Sequence, residues 1–301
     1  MSFFSTETAR KSKSLSDVRR RKRTSKLTTV LVWACAAYFL LPLLWLAISS
    51  TKSNSDLFST FGFAFGNEFA LFDNIASVFT FQDGVFLRWV GNTVLYAGTS
   101  ALIATALATA AGYAFAKYDF GGKAAIFAVV LGSIMIPLTA LALPTYLMFS
   151  GMGLTNTPWA VILPSVVSPF GVFLMRVYAT DSVPDQVIEA ARIDGSSELS
   201  IFFRFGVPLM APGMVTVFLF ALVATWNNYF LPLIMLSDSA LYPLTVGLAQ
   251  WQSMSAAGGG SQALFSTVIT GSFISIVPLI VVFLYLQKFW QSGLAAGSVK
   301  E

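Results

Sequence analysis

Residues 181–213 read DSVPDQVIEAARIDGSSELSIFFRFGVPLMAPG, and the reading of this stretch decides the fold. It carries five acids (Asp181, Asp185, Glu189, Asp194, Glu198) and two bases (Arg192, Arg204), yet it is bracketed by apolar runs at 158–179 and 207–236. A polar segment between two such runs is a chain that leaves a bilayer and returns to it. The segment itself divides into two short helices. Ser182 with Asp185 three residues on resembles a capping box, Pro184 suits a first helical turn, and Asp185 complements a helix N-terminus. Val187, Ala190 and Ala191 then share a face, Gly195 can take the left-handed conformation that ends a helix, and Leu199, Phe202 and Phe203 form a second stripe.

Two physical readings of this amphipathic loop stand side by side. Small alanines with Glu189, Arg192 and Asp194 around them let another protein's backbone approach closely. Alternatively, the loop lies on the membrane with Phe202 and Phe203 dipping into the interface.

Outward from the loop, the chain is membrane-like throughout. Of 301 residues 56% are hydrophobic and 11% charged, with a mean hydropathy of +0.73, whereas soluble domains carry about a quarter charged residues. A hydrocarbon core about 30 Å thick needs roughly 20 helical residues. Six apolar runs satisfy this, at 27–48, 89–116, 124–149, 158–179, 207–236 and 263–286, uncharged but for Arg176 near the end of the fourth. The expected fold is therefore an all-α integral membrane protein with six transmembrane helices. Its prolines, Pro137, Pro144, Pro164, Pro169, Pro208, Pro212, Pro232 and Pro278, predict kinked or broken spans. The organisation is a basic tail (1–26), a six-span domain (27–290) containing the loop 182–206, and a short C-terminal tail (291–301).

Charge orients the spans. Arg10, Lys11, Lys13, Arg19, Arg20, Arg21, Lys22, Arg23 and Lys26 against Glu7 and Asp17 give the first 26 residues a net charge of +7, within a chain of +4. Abutting a hydrophobic run, this block reads as an anchor on anionic membrane lipid rather than a nucleic-acid site. The first run, at about 22 residues, exceeds a signal-peptide core of about 7–15 and is read as a span. With both termini cytoplasmic, 16 of the 18 Lys and Arg residues lie inside and only Lys52 and Arg88 outside, as the positive-inside rule requires.

Absences narrow the chemistry. There is no His, Cys35 is alone, and Gly121-Gly122-Lys123-Ala124 lacks the upstream Gly and the hydroxyl of a P-loop. The expectation is no catalytic residue, no metal site and no nucleotide or other cofactor on this chain. The spans also lack the midplane charge that proton-coupled carriers keep at a cost of about 3 kcal/mol. Trp226, Asn227, Asn228 and Tyr229 form the most polar aromatic patch within a span. Amides and aromatic faces suit sugar hydroxyls, and equally suit helix–helix hydrogen bonding and packing.

Glu189-Ala190-Ala191, Gly195 four residues on and Pro208 after a hydrophobic stretch resemble the EAA loop of ABC-importer permeases, and the fuller string 189–213 is similar to that of carbohydrate importers of the maltose type. AGYAFAKYDFGGK, MIPLTALALPTY, TWNNYFLPL and GLAAGSVK extend the likeness over most of the chain; residues 1–26 and 51–88 do not contribute. The resemblance implies a permease subunit in a bacterial cytoplasmic (inner) membrane, paired with a homologous second permease, an ATPase dimer that binds ATP and Mg, and an extracytoplasmic solute-binding protein. It implies that Glu189, Ala190, Ala191, Asp194 and Gly195 contact the ATPase as a coupling helix. A secondary ATPase contact falls at Gly293, Gly297 and Lys300, unless that terminus is simply solvated. The substrate expected is a sugar or oligosaccharide of the maltose or α-glucoside type. An importer of glycerol-phosphoesters or polyols shares these motifs, and an ATP-independent secondary carrier is the more distant alternative.

Overall fold

The structure, a computed structural model, describes residues 26–137, 139–257 and 264–297. The basic residues 10–23, the glycine-rich 258–262 and Lys300 lie outside the described residues. The described chain is helical. Helix α1 (Lys26–Ser49) is followed by α2 (Asn54–Ser59) and the long α3 (Leu71–Lys117). Next come α4 (Lys123–Ile134), α5 (Ala142–Gly151), α6 (Trp159–Ser165) and α7 (Pro169–Ser182). The loop forms α8 (Asp185–Ile193) and α9 (Glu198–Ile201), and α9 runs through a π-turn (Phe202–Gly206) into α10 (Val207–Trp226). The remainder is α11 (Phe230–Met235), α12 (Leu244–Ala257) and α13 (Phe265–Gly297).

Among the described residues, five helical stretches are long and apolar enough to cross a bilayer: Lys26–Ser49, Leu71–Lys117, Trp159–Ser182, Glu198–Trp226 and Phe265–Phe289. The run expected at 124–149 is the exception. It divides into α4 and α5, with Pro137 between them, because proline offers no N–H to the preceding turn and pushes its predecessor out of helical geometry. The other prolines behave as position dictates. Pro42, Pro164, Pro212 and Pro278 sit inside helices, Pro169 opens α7 where no N–H is needed, and Pro208 follows directly on the π-turn through which α9 passes into α10.

Helix α3 organises the bundle, packing along α7 and α10 and touching α13. Close approach of α3 and α7 depends on Gly112, where a Cβ would lie 2.6 Å from the backbone nitrogen of Arg176. The first turns of α3 are offset from its span by Gln82, Asp83 and Gly84, three consecutive residues at φ +51°, +56° and +74°. This break is pinned by Trp251 of α12, whose indole N–H donates to Gln82 Oε1 at 3.0 Å. Two apolar clusters mark the two ends of the bundle. One gathers Phe86, Trp89, Trp226, Leu244 and Trp251; the other gathers Tyr113, Met175, Ile188, Ala191 and Ile201 around the α8 loop. From Trp89 to Tyr113 along α3 is about 36 Å at 1.5 Å per residue, enough to span a bilayer.

Candidate functional site

The α8 loop is built differently at its start from what its sequence suggests. No capping box forms: α7 runs on to Ser182, so that hydroxyl belongs to a helix end, and the N-cap of α8 is Pro184, which has no side-chain acceptor. Asp185 opens the helix instead, with its carboxylate held 2.7 Å from Lys117 Nζ at the end of α3. The Lys117 side chain is only 5% exposed, so this ion pair ties the loop to the central helix.

The C-terminal end follows expectation closely. Gly195 stands at φ +79°, its N–H donates to the Arg192 carbonyl, and the Ser196 N–H donates to the Ala191 carbonyl, both at 3.0 Å. These two bonds make a Schellman motif. A Cβ at Gly195 would meet nothing of the described residues within 4 Å. Arg192 then bridges to Glu198 across the turn, Nε to Oε1 at 2.6 Å. The Arg192 hydrogen bond, assisted by the Tyr118 hydroxyl, holds the Glu198 carboxyl below the usual carboxylate range against the opposing effect of burial. Burial first, and then hydrogen bonding to Glu198, pushes the Tyr118 hydroxyl up to about 12.

The inward face of α8 is rotated by one residue from the expected one. Ile188 and Ala191 are buried and Val187 partly so, whereas Ala190 faces out. Ile188 takes the inward position, packed in the cluster with Met175, Ile201 and Met210; burying it contributes about 1.5–3 kcal/mol. Consequently Glu189, Ala190, Asp194 and Gly195 are exposed together, and Ile193 beside them is 86% exposed. Of the second stripe, Leu199 and Phe203 are exposed, while Phe202 packs edge-on against Tyr113 with ring centroids 5.1 Å apart. Ile201, absent from the expected stripe, is fully buried.

At the other end, the Trp226 to Tyr229 patch is not a single surface. Trp226 is buried in the apolar cluster. Asn227, exposed, donates to the Val223 carbonyl at 3.0 Å, and Asn228 Oδ1 accepts the Leu231 N–H at 3.3 Å. These bonds terminate α10 and start α11, so the amides serve the break in the span; Asn227 and Tyr229 remain exposed. The break is braced from α12 by Thr245 Oγ1, which donates to the Asn228 carbonyl at 2.8 Å.

Sequence reasoning did not find the supports of this end. Trp89 Nε1, Asn92 Nδ2 and the Tyr96 hydroxyl donate to the carbonyls of Ser239, Ala240 and Leu241 at 2.8–2.9 Å. Their spacing of three and four along α3 is the signal: one polar-tipped face on an apolar helix. Lys52 was read as an outer-loop charge, yet it is 1% exposed and donates to the Phe61 carbonyl at 2.9 Å. Gly293 and Gly297 fall in the last turns of α13.

Comparison with known proteins follows this geometry. Residues 108–292, from mid-α3 through the loop to α13, match the family described as binding-protein-dependent transport system inner membrane component. The chain is 33% identical over 260 residues to the arabinooligosaccharides transport system permease protein AraQ of Halalkalibacterium halodurans, covering 86% of this chain and 90% of that one. It is 30% identical over 284 residues to the lactose transport system permease protein LacG of Rhizobium radiobacter, covering 93% and 98%. In fold it matches a chain of a bacterial ABC transporter involved in the import of the acidic polysaccharide alginate, with a TM-score of 0.76, 22% identity, and coverage of 90% of this chain and 98% of that chain. The chain belongs to the binding-protein-dependent transport system inner membrane component family: it is a multi-pass permease subunit of an ABC importer.

Proposed function

We propose that this subunit forms half of a sugar-conducting pore, paired with a second, homologous permease, and that α8 is the element through which an ATPase dimer drives it. ATP and Mg²⁺ are held by the ATPase, and an extracytoplasmic solute-binding protein delivers the substrate at the end where α10 breaks. On this reading the α8 end is cytoplasmic. The observation that carries the proposal is the two-sided construction of α8. Ile188 and Ala191 key it into the bundle, Lys117 and Glu198 fix its two ends, and Ala190, Ile193 and Gly195 are left as an exposed surface of small and apolar groups edged by the Glu189 carboxylate.

That construction suits rigid transmission. A force on α8 reaches α3 through the Lys117 ion pair and reaches α9 across the short turn that the Arg192–Glu198 pair bridges, and α9 continues through the π-turn into the α10 span. Closure of an ATPase dimer would therefore turn whole helices rather than flex a linker. Sugar or short oligosaccharide as cargo is supported by the relatives named for arabinooligosaccharides and lactose. Asn227 and Tyr229, exposed at the break, are the groups on this chain best suited to meet hydroxyls.

The test is reconstitution of the co-purified transporter in proteoliposomes, with ATP hydrolysis measured as binding proteins loaded with different oligosaccharides are added. Stimulation by a loaded sugar-binding protein is expected. Stimulation by glycerol-phosphoesters or polyols alone overturns the sugar assignment, and uptake without ATP overturns the coupling.

A further inference from the structure

At the α8 end of the bundle, α4 and α7 border an open recess of about 810 Å³. One wall is a trough made by Ala124, Ala128 and Leu131, where two small side chains four residues apart leave room for something long and apolar to lie along α4. At the mouth stands Arg176, half-buried, its guanidinium carbon 4.0 Å from the ring centroid of Phe127. A second recess of about 190 Å³, lined by Phe173, Thr180 and Asp181, shares the same arginine.

The charges around this recess are unequal in their commitments. Lys123 Nζ donates to the Tyr118 carbonyl at 2.8 Å and to Asp119 Oδ1 at 3.1 Å, so that pair neutralises itself. Asp181 borders only the smaller recess and lies beyond ion-pairing distance. Among the described residues Arg176 has no carboxylate within 4.0 Å, and no hydrogen bond of its side chain is found. Contact with the Phe127 ring holds the guanidinium without using its five N–H donors, which form the fork that matches a phosphate.

We propose that this recess is a binding site for an anionic phospholipid, with the phosphodiester on Arg176 and one acyl chain in the Ala124, Ala128 and Leu131 trough. Arg176, unneutralised among the described residues, matches the single charge of a phosphodiester, and basic pockets between spans at a membrane surface bind such head groups. The apolar trough distinguishes the lipid from free phosphate, which has nothing to place there. The inference rests only on the chain being membrane-embedded, and does not depend on the cargo or the ATPase.

The assembled transporter in vesicles containing phosphatidylglycerol with a head-proximal diazirine is irradiated, and labelled peptides are mapped. Label on α4 and α7 is expected, falling roughly tenfold in Arg176→Gln through loss of the charge-assisted bonds, with label on residues 1–26 unchanged as the control for insertion. Leu131→Trp fills the trough without altering charge and is expected to remove the α4 label as well. The proposal is overturned if wild-type α4 and α7 carry no label, if both variants label as wild type does, or if millimolar inorganic phosphate displaces the label, which would make this a soluble-anion site. It is equally overturned if Ala128→Cys crosslinks to the second permease, which would make protein the occupant.

Discussion

Gly195 is the residue at which backbone and partner demands can be separated. Its φ of +79° favours glycine, but asparagine also enters the left-handed region at low cost, and a Cβ there meets no atom of the described residues within 4 Å. If only backbone strain mattered, Gly195→Asn would transport nearly as wild type. We expect Gly195→Asn and Gly195→Asp both to insert normally and both to lose uptake in proteoliposomes, because in the proposed coupling the ATPase occupies the space at position 195. Glu198 sets a pH limit on the same turn. Because its folded-state pKa is depressed by Arg192, its contribution is present above the ordinary carboxylate value and is lost as pH falls through the lowered one. Amide exchange over residues 192–200 is expected to stay slow as pH falls through the ordinary value of 4.5 and to accelerate only below it. Early acceleration would show that the bridge does not hold the turn. These residue-scale features were partly legible: Gly195 was readable from its position after a helical run, but the partner of Arg192 was not, since Glu198 lies across a reversal that sequence spacing does not reveal.

At the scale of elements, α3 and α7 are held within backbone contact by Gly112. Gly112→Leu must force apart helices that approach to 2.6 Å of an added Cβ, and overpacking of that kind costs about 1–3 kcal/mol. A lower melting temperature in detergent is expected, with reduced membrane levels. The break between α10 and α11 gives the converse contrast. Trp226→Ala removes a buried indole from the apolar cluster and should cost about 3–5 kcal/mol. Tyr229→Ala, at an exposed site, should leave melting unchanged and raise the KM for sugar. Equal effects on melting would mean that Tyr229 is structural. The patch 226–229 was legible as polar aromatic residues in a span, but its division between a packing residue, two chain-terminating amides and an exposed ring depended on where α10 stops. Likewise the frame of α8, with Ile188 inward and Val187 only partly buried, depended on the helices it packs against.

For the whole molecule, α1 is buried only at Ile48 and Ser49, and large apolar residues such as Trp33, Tyr38 and Phe39 are more than 70% or close to it exposed along its length. A helix this uncovered faces lipid or a second subunit, consistent with a pore completed by a homologous permease. The purified single chain is expected to hydrolyse no ATP, and coupled hydrolysis is expected only when both permeases and the ATPase are present. ATP turnover by the single chain would overturn the division of labour proposed here.

The sequence by itself determined the class, the approximate spans and the position of the loop, because low charge and long apolar runs admit only helices in a bilayer, and each feature is local. Pro137 marked the break in the run at 124–149, but only the tertiary structure decided that Asp185 belongs to Lys117, that Lys52 is buried and that, among the described residues, Arg176 has no carboxylate within 4.0 Å. Each of these depends on which helices lie side by side, and contacts between residues far apart in the chain leave no periodicity in the sequence to read.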